Sequence, residues 1–253
     1  MANKPEALGE GTLISHLLEL RNRLLKGVLA VAVLAGPCIY FANEIFTFVA
    51  QPLMRKLPAG ASMISTSVIA PFMTPFKLAL VTALFLAMPY VLYQLWAFVA
   101  PGLYRKEKRF ALPLLISSIV LFYCGAAFAY YVVFPVIFAF FAATAPEGVL
   151  MMTDIASYLD FVLLLFFAFG AAFEIPVATV LLILTGLVKV ETLARNRGYV
   201  LLGIFIIAAI ITPPDAISQS IMAVPMYLLY EGGILLSRLL QRTRKAEAEQ
   251  ESA

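Results

Sequence analysis

The sequence predicts an all-α integral membrane bundle of six transmembrane helices, with both termini cytoplasmic and the last two spans short. Three observations predict it. Hydrophobic residues make up 62% of the 253 positions and charged residues only 13%, more apolar surface than a soluble domain can hide, so the excess faces lipid. Apolar runs of about 18 residues or more, enough for a helix to cross a bilayer, recur along the chain. Lysine and arginine cluster in every second connection and are nearly absent from the others, which orients the bundle. The chain reads as one membrane domain, 1–253: a cytoplasmic amphipathic N-terminus over 1–23, a six-span bundle over 24–236 and a disordered cytoplasmic tail over 237–253.

In the N-terminal segment, "LISHLLELRNRLL" puts Leu13, Leu17, Leu20 and Leu24 on one helical face. Glu19 and Arg23 stand four apart, an ion-pair spacing worth about 0.2–0.5 kcal/mol, so an interfacial amphipathic helix is expected whatever the function. The first 23 residues are too polar for a cleavable signal sequence, and no small-residue cleavage site follows a short apolar core. The first span is expected over 24–42. The connection 43–75 is punctuated by Pro52, Pro58, Gly60, Pro71 and Pro75. Within it, "NEIFTFVAQPLMRKL" has helical apolar spacing, which predicts a short helix against the outer surface.

The second span is expected over 76–99. After it, "PGLYRKEKRF" sets Glu107 among Arg105, Lys106, Lys108 and Arg109. The third span, 110–141, has about 30 apolar residues, or ~45 Å of helix. That exceeds the ~30 Å hydrocarbon core, so it must tilt or project, with a bend expected near Pro135. Residues 142–158 contain no Lys or Arg, and "TDIASYLDF" starts a helix capped by Thr153 or Asp154. The fourth span is expected over 159–187, the fifth over 199–212 and the sixth over 215–235. The fifth is about 14 residues, roughly 21 Å. The sixth is expected to be interrupted early by Ser218, Gln219 and Ser220, and "TPPD" joins the two. There Pro213 and Pro214 stop one helix and Asp215 caps the next. Such a hairpin crosses a full bilayer only with local thinning or shielded ends.

Lys4, Arg21, Arg23 and Lys26, the loop after span two, Lys189, Arg195 and Arg197, and Arg238, Arg242, Arg244 and Lys245 all fall on one side. Arg55 and Lys56, with Lys77 near a helix end, are the cations of the other. The positive-inside rule makes the first side cytoplasmic.

Chemistry is sparse. Cys38 and Cys124 lie in apolar runs and read as small buried hydrophobes. The only histidine, His16, precedes the first span, and no Cys/His cluster or P-loop is present, which argues against metal, haem and intramembrane protease or acyltransferase chemistry. No enzymatic activity and no cofactor are expected. Glu174, mid-span in "FGAAFEIPV", costs at least ~2.5–3.5 kcal/mol to insert, and functional use is the default reading of such a carboxylate. Gly170, Ala171 and Ala172 leave room for a partly wet cavity there; the alternative is a structural hydrogen bond to a neighbouring helix. Asp160 and Glu231 lie near span ends, where solvated acids are expected, and Asp160 is within reach of Lys77.

Two acids, Glu19 and Glu107, therefore share the basic cytoplasmic face. A loose cation is repelled there; a ligand that reaches the carboxylates is held. Arginine suits them because its planar fork binds a carboxylate bidentately, whereas lysine is a point charge. Two such contacts give about 3–6 kcal/mol, short of the ~8 kcal/mol of a micromolar complex, so an apolar stretch of the ligand must bind as well.

These motifs resemble the TatC family, the polytopic core subunit of the twin-arginine protein translocase. The resemblance covers nearly the whole chain and rests on "SHLLELRNRLL", "YFAN", "APFMTPFKL", "YQLWAFVAPGLYRKEKR", "FAYYVVFP", "TAPEGV", "TDIASYLDF", "FGAAFEIPV" and "TPPDAISQ", in that order. It implies a cup-shaped bundle in the bacterial inner membrane that binds twin-arginine signal peptides of folded cargo, powered by the proton-motive force. By motif it assigns Glu19 and Glu107 to the arginine pair, Arg21 and Phe98 to the same cytoplasmic region, and Glu174 to the concave groove. It also implies single-span partners, TatB and TatA, along spans five and six, where Thr212 and Gln219 hold the matching polar positions. Self-association in a multi-subunit complex is implied; nucleic acid is not. Asp160 and the tail beyond Arg238 match no motif. The alternative is an ion- or proton-coupled secondary transporter using Glu174, disfavoured by the missing internal repeat.

Overall fold

The structure, a computed structural model, describes residues 7–55, 62–99, 111–144, 152–212 and 215–251. Glu107, Pro213 and Pro214 lie outside the described residues. In chain order the elements are α1 (Ala7–Tyr40), α2 (Ala42–Met54), β1 (Met63–Ile64), α3 (Ala70–Val99), α4 (Ala111–Phe128), a π-helical turn (Ala129–Val133) and α5 (Phe134–Thr144). There follow β2 (Thr153–Asp154), α6 (Ile155–Phe173), α7 (Ile175–Leu184), α8 (Val190–Arg195), α9 (Arg197–Ile211) and α10 (Ala216–Glu251). Five of the described segments are long and apolar enough to cross a membrane, and α9 is a shorter apolar helix. This is a multi-pass membrane architecture.

The helices differ from the expected spans in instructive ways. The amphipathic segment and span one form a single helix, α1, because nothing between Ala7 and Pro37 breaks it. The long third run is disturbed immediately before Pro135. Proline has no N–H to give, and its ring crowds the carbonyl four residues back. The chain answers with a π turn immediately before it, in which the Phe134 N–H reaches Ala129 O, five residues back. The fourth span breaks at Glu174, which ends α6 and starts α7; Pro176 in the first turn of α7 removes the N–H that would have continued the helix. Span five is short, 15 residues as α9. Span six is not: its membrane-compatible part runs Ala216–Gln241, and the helix continues through the tail that was expected to be disordered. Asp215 Oδ1 accepts from the Ser218 N–H at 2.7 Å, so Ser218–Ser220 form a capped first turn and not an interruption. The tail beyond Arg238 contains no Gly or Pro and is built mostly of strong helix formers, which propagates the helix.

Packing joins neighbours at small residues. A Cβ placed on Gly125 of α4 would stand 2.5 Å from the Phe169 carbonyl oxygen of α6. One on Gly233 of α10 would stand 2.9 Å from Pro176 Cα of α7. Close backbone approach of this kind is how helices gain contact where lipid is as apolar as the side chains. The main core, including the fully buried Phe134, Ile137, Leu159 and Phe169, lies among α2, the π turn, α5, α6, α9 and α10. Large apolar side chains such as Val28, Leu29, Leu112, Ile116, Ile206, Ile210 and Leu228 face outward, as a lipid-facing surface requires. Cys38 is buried as expected, but Cys124 is exposed on the outward face of α4, and both are free thiols.

The α2 end of the bundle is stitched by polar contacts. The short helix expected there exists, burying Val49, Ala50, Pro52 and Leu53. Its carbonyls at Phe48 and Val49 accept from the hydroxyls of Tyr130 and Tyr158, both at 2.8 Å. Strands β1 and β2 pair in parallel, Met63 with Thr153 and Ile64 with Asp154. Asp154 is the N-cap of α6, accepting from Ser157 N at 3.0 Å, while its other oxygen accepts from Thr66 N and Oγ1. These bonds hold its carboxyl down at about 2, the Ser157 amide first and the Thr66 groups next. Lys77 pairs with Asp160 at the same end.

Candidate functional site

Glu19 is set by the helical continuity of α1. Four residues on, Arg23 turns back to it: Nη2 donates to Glu19 Oε1 at 2.6 Å and Nε to the same oxygen at 3.0 Å. Nη1 of Arg23 reaches Gln94 Oε1 of α3 at 3.4 Å. The pair is partly shielded, with the Arg23 side chain 24% and the Glu19 side chain 39% exposed. One turn before Glu19, His16 stacks on Phe98 of α3, ring centroids 4.3 Å apart. Gln94 and Phe98 stand four apart on α3, so one stripe of that helix meets both residues. Arg21 is exposed.

Beneath this polar end the two helices leave an apolar groove of about 370 Å³. Leu20, Leu24, Val28 and Val31 line it from α1, facing Leu84, Val91 and Leu95 of α3. The α1 residues follow the 3.6-residue period, so the face carrying the groove is the face that leads to Glu19 and Arg23. Chemically, the arrangement is a guanidinium and an amide lining a greasy slot between two helices, with the Glu19 carboxylate paired to that guanidinium. It can hold a cationic head joined to an apolar segment.

Glu174 occupies the break between α6 and α7. Its Oε2 accepts from the Ser118 hydroxyl of α4 at 2.6 Å. Its Oε1 is buried without a hydrogen-bond partner among the described residues. The hydrogen bond to a neighbouring helix is therefore present. The space beside Gly170 is taken by the Phe122 ring, 2.7 Å from where a Cβ would stand.

At the α9–α10 turn, Thr212 is buried, and its hydroxyl donates to Ala208 O of its own helix at 2.8 Å. Gln219 is half-buried. At the other end of this hairpin, Arg197 Nη2 donates to Glu231 Oε2 at 2.8 Å. Its Nε stands 2.7 Å from Oε1, too far off the N–H axis to count as a hydrogen bond. Tyr227 also donates to Glu231, at 2.9 Å. Glu231 is thus a paired acid, where a solvated one was expected.

Sequence reasoning passed over Gln94, Ser118 and the contact of His16. Gln94 carried a usable signal, a lone amide in the apolar run "VLYQLWAFVA". Ser118 carried none, since a serine in a span ordinarily bonds its own helix.

Comparison with known proteins completes the picture. A family model described as TatC, Sec-independent protein translocase protein, matches residues 15–225. The Sec-independent protein translocase protein TatC of Azotobacter chroococcum is 53% identical over 248 residues, covering 98% of this chain and 97% of the relative. That of Escherichia coli K12 is 54% identical over 226 residues, 89% of this chain and 88% of the relative. A crystal structure of the twin arginine translocase receptor TatC superposes with a TM-score of 0.79 at 38% identity, covering 88% of this chain and 98% of that one.

Proposed function

This chain belongs to the TatC family, and from that premise we propose that it is the receptor and core component of a twin-arginine translocation system. It binds the twin-arginine signal peptides of folded proteins and nucleates the complex that exports them, as a non-catalytic component. The observation that carries the reading is the half-shielded Glu19 carboxylate paired with Arg23, which lines the apolar groove between α1 and α3. Glu19 takes one signal arginine and Glu107 the other, with Arg21 and Phe98 supporting the same face. Two charge-assisted contacts contribute about 3–6 kcal/mol of the ~8 kcal/mol of a micromolar complex, and the groove supplies the rest by packing the peptide's apolar segment. Glu174, with one oxygen unpartnered, is the polar spot that a deeply inserted peptide meets.

Both termini are cytoplasmic and the membrane is the bacterial inner membrane, in keeping with the lysine and arginine distribution. TatB and TatA, as single-span subunits, dock along α9 and α10. Gln219 is the better placed of the two polar residues for such contact, because the Thr212 hydroxyl is engaged within α9. The test is binding of a synthetic signal peptide to the purified chain. The two-arginine peptide should bind, its two-lysine version far less, and Glu19→Gln and Glu107→Gln should each weaken the former. Equal binding of both peptides would refute the carboxylate–guanidinium reading.

A further inference from the structure

The Glu19 carboxylate is not vacant: a guanidinium already sits on it. Arg23 makes two contacts to Oε1, at 2.6 and 3.0 Å, and a third nitrogen is directed to Gln94 at 3.4 Å. Arg23 itself lines the groove, so its head lies where an incoming cation must arrive. Taking Glu19 as the receptor carboxylate, and so resting on the function proposed above, we infer that Arg23 is an affinity-setting residue, a resident guanidinium that a ligand cation must displace.

The chemistry sets the threshold. When a ligand arginine replaces Arg23, one planar fork is exchanged for another on the same oxygen, and the apolar groove decides the balance in the ligand's favour. When a ligand lysine replaces it, two directed contacts on Oε1 are exchanged for one point charge. The cost of displacing Arg23 is the same for both ligands, so both affinities fall by one factor and the weaker lysine ligand drops below useful binding first. Released Arg23 is not stranded: at the membrane surface its long side chain extends into water. The built-in competitor thus sets a threshold, while the carboxylate–guanidinium geometry sets the preference.

The experiment measures binding of fluorescent two-arginine and two-lysine signal peptides to the full chain in nanodiscs, at fixed salt. The proteins compared are the parent, Arg23→Gln, Arg23→Lys, Glu19→Gln and the Glu19→Gln/Arg23→Gln double variant. Arg23→Gln is expected to tighten the two-arginine peptide about three- to tenfold, somewhat above an exposed helical ion pair because Gln94 adds a contact. It should tighten the two-lysine peptide by the same factor, so that the preference for arginine stays as in the parent. Arg23→Lys, which keeps the charge without the fork, should tighten both peptides by less than Arg23→Gln does. In the Glu19→Gln background Arg23→Gln should change nothing. Weaker or unchanged two-arginine binding by Arg23→Gln, tightening of one peptide without the other, or parent-like behaviour of Arg23→Lys would each overturn the inference. Should Arg23→Gln fail to assemble, Gln94→Leu loosens Arg23 without removing it and should move both affinities in the same direction. No movement then also overturns the inference. Intact two-arginine binding by Glu19→Gln is a different failure, that of the receptor reading itself.

Discussion

Replacing Gly125 by alanine should destabilise the bundle although alanine is the better helix former. An alanine Cβ would sit 2.5 Å from the Phe169 carbonyl oxygen and 3.0 Å from Phe173 Cβ, with backbone on one side of the clash. Ordinary carbon–oxygen contacts lie beyond about 3.2 Å, so α4 and α6 must separate by roughly 0.7 Å or more. Overpacking of this kind costs about 1–3 kcal/mol. The same substitution gains about 1 kcal/mol in helix propensity anywhere in a helix interior. Gly203 of α9, with nothing within 4 Å of its would-be Cβ, isolates that gain. Gly203→Ala should therefore be neutral or stabilising, and Gly125→Ala should fall about 1–3 kcal/mol below it. That gap is worth about 2–4 °C per kcal/mol in a detergent thermal melt. The Ser118–Glu174 hydrogen bond joins α4 to the break after α6, so opening the crossing also pulls at that bond. A Gly125→Ala protein as stable as Gly203→Ala would refute the close-crossing account.

Tyr158→Phe should cost about 0.5–1.5 kcal/mol in the same melt, because it removes the 2.8 Å hydrogen bond that ties α6 to the Val49 carbonyl of α2. Asp154 is held at about 2, below its ordinary 3.8, so its stabilising bonds are fully present above about pH 4 and are lost as pH falls through about 2. Asp154→Asn should therefore lose less stability than the parent between pH 4 and pH 2, measured by melting at each pH. Glu231→Gln should weaken the tie to Arg197 by about 1 kcal/mol or less, since both groups are partly exposed, and high salt should narrow the difference from the parent.

Much of the fold was legible because lipid imposes its own grammar. Apolar runs and the spacing of lysine and arginine sufficed for helices and connections, proline placed the disturbance in the third span, and the Asp154 and Asp215 caps followed from local chemistry. What escaped was whatever depends on continuity or on a partner helix. Whether α1 restarts at residue 24 cannot be read from amphipathicity, since an interfacial face and a packed face look alike. The Phe122 ring beside Gly170 and the Ser118 hydroxyl on Glu174 are choices made between helices, invisible to any single segment. At the candidate site, the Glu19–Arg23 spacing was plain in the sequence, yet its meaning depended on Gln94 arriving from α3.

The π turn before Pro135 has a consequence in phasing. Along α4 the buried positions are Leu114, Ser118, Phe122 and Gly125, a stripe that an unbroken α-helix would carry on to positions 132 and 136, eighteen residues beyond the first two. Val132 and Val136 are instead 45% and 44% exposed, while Val133 and Ile137 are 1% and 0% exposed. One extra residue absorbed in the turn brings Val133 and Ile137 onto the stripe that an unbroken helix would give to 132 and 136. The span thereby keeps one buried face on both sides of the turn. Removing any one residue from 129–133 should restore the α-helical count and leave Ile137 buried, whereas inserting one there should swing it by about 100° toward lipid.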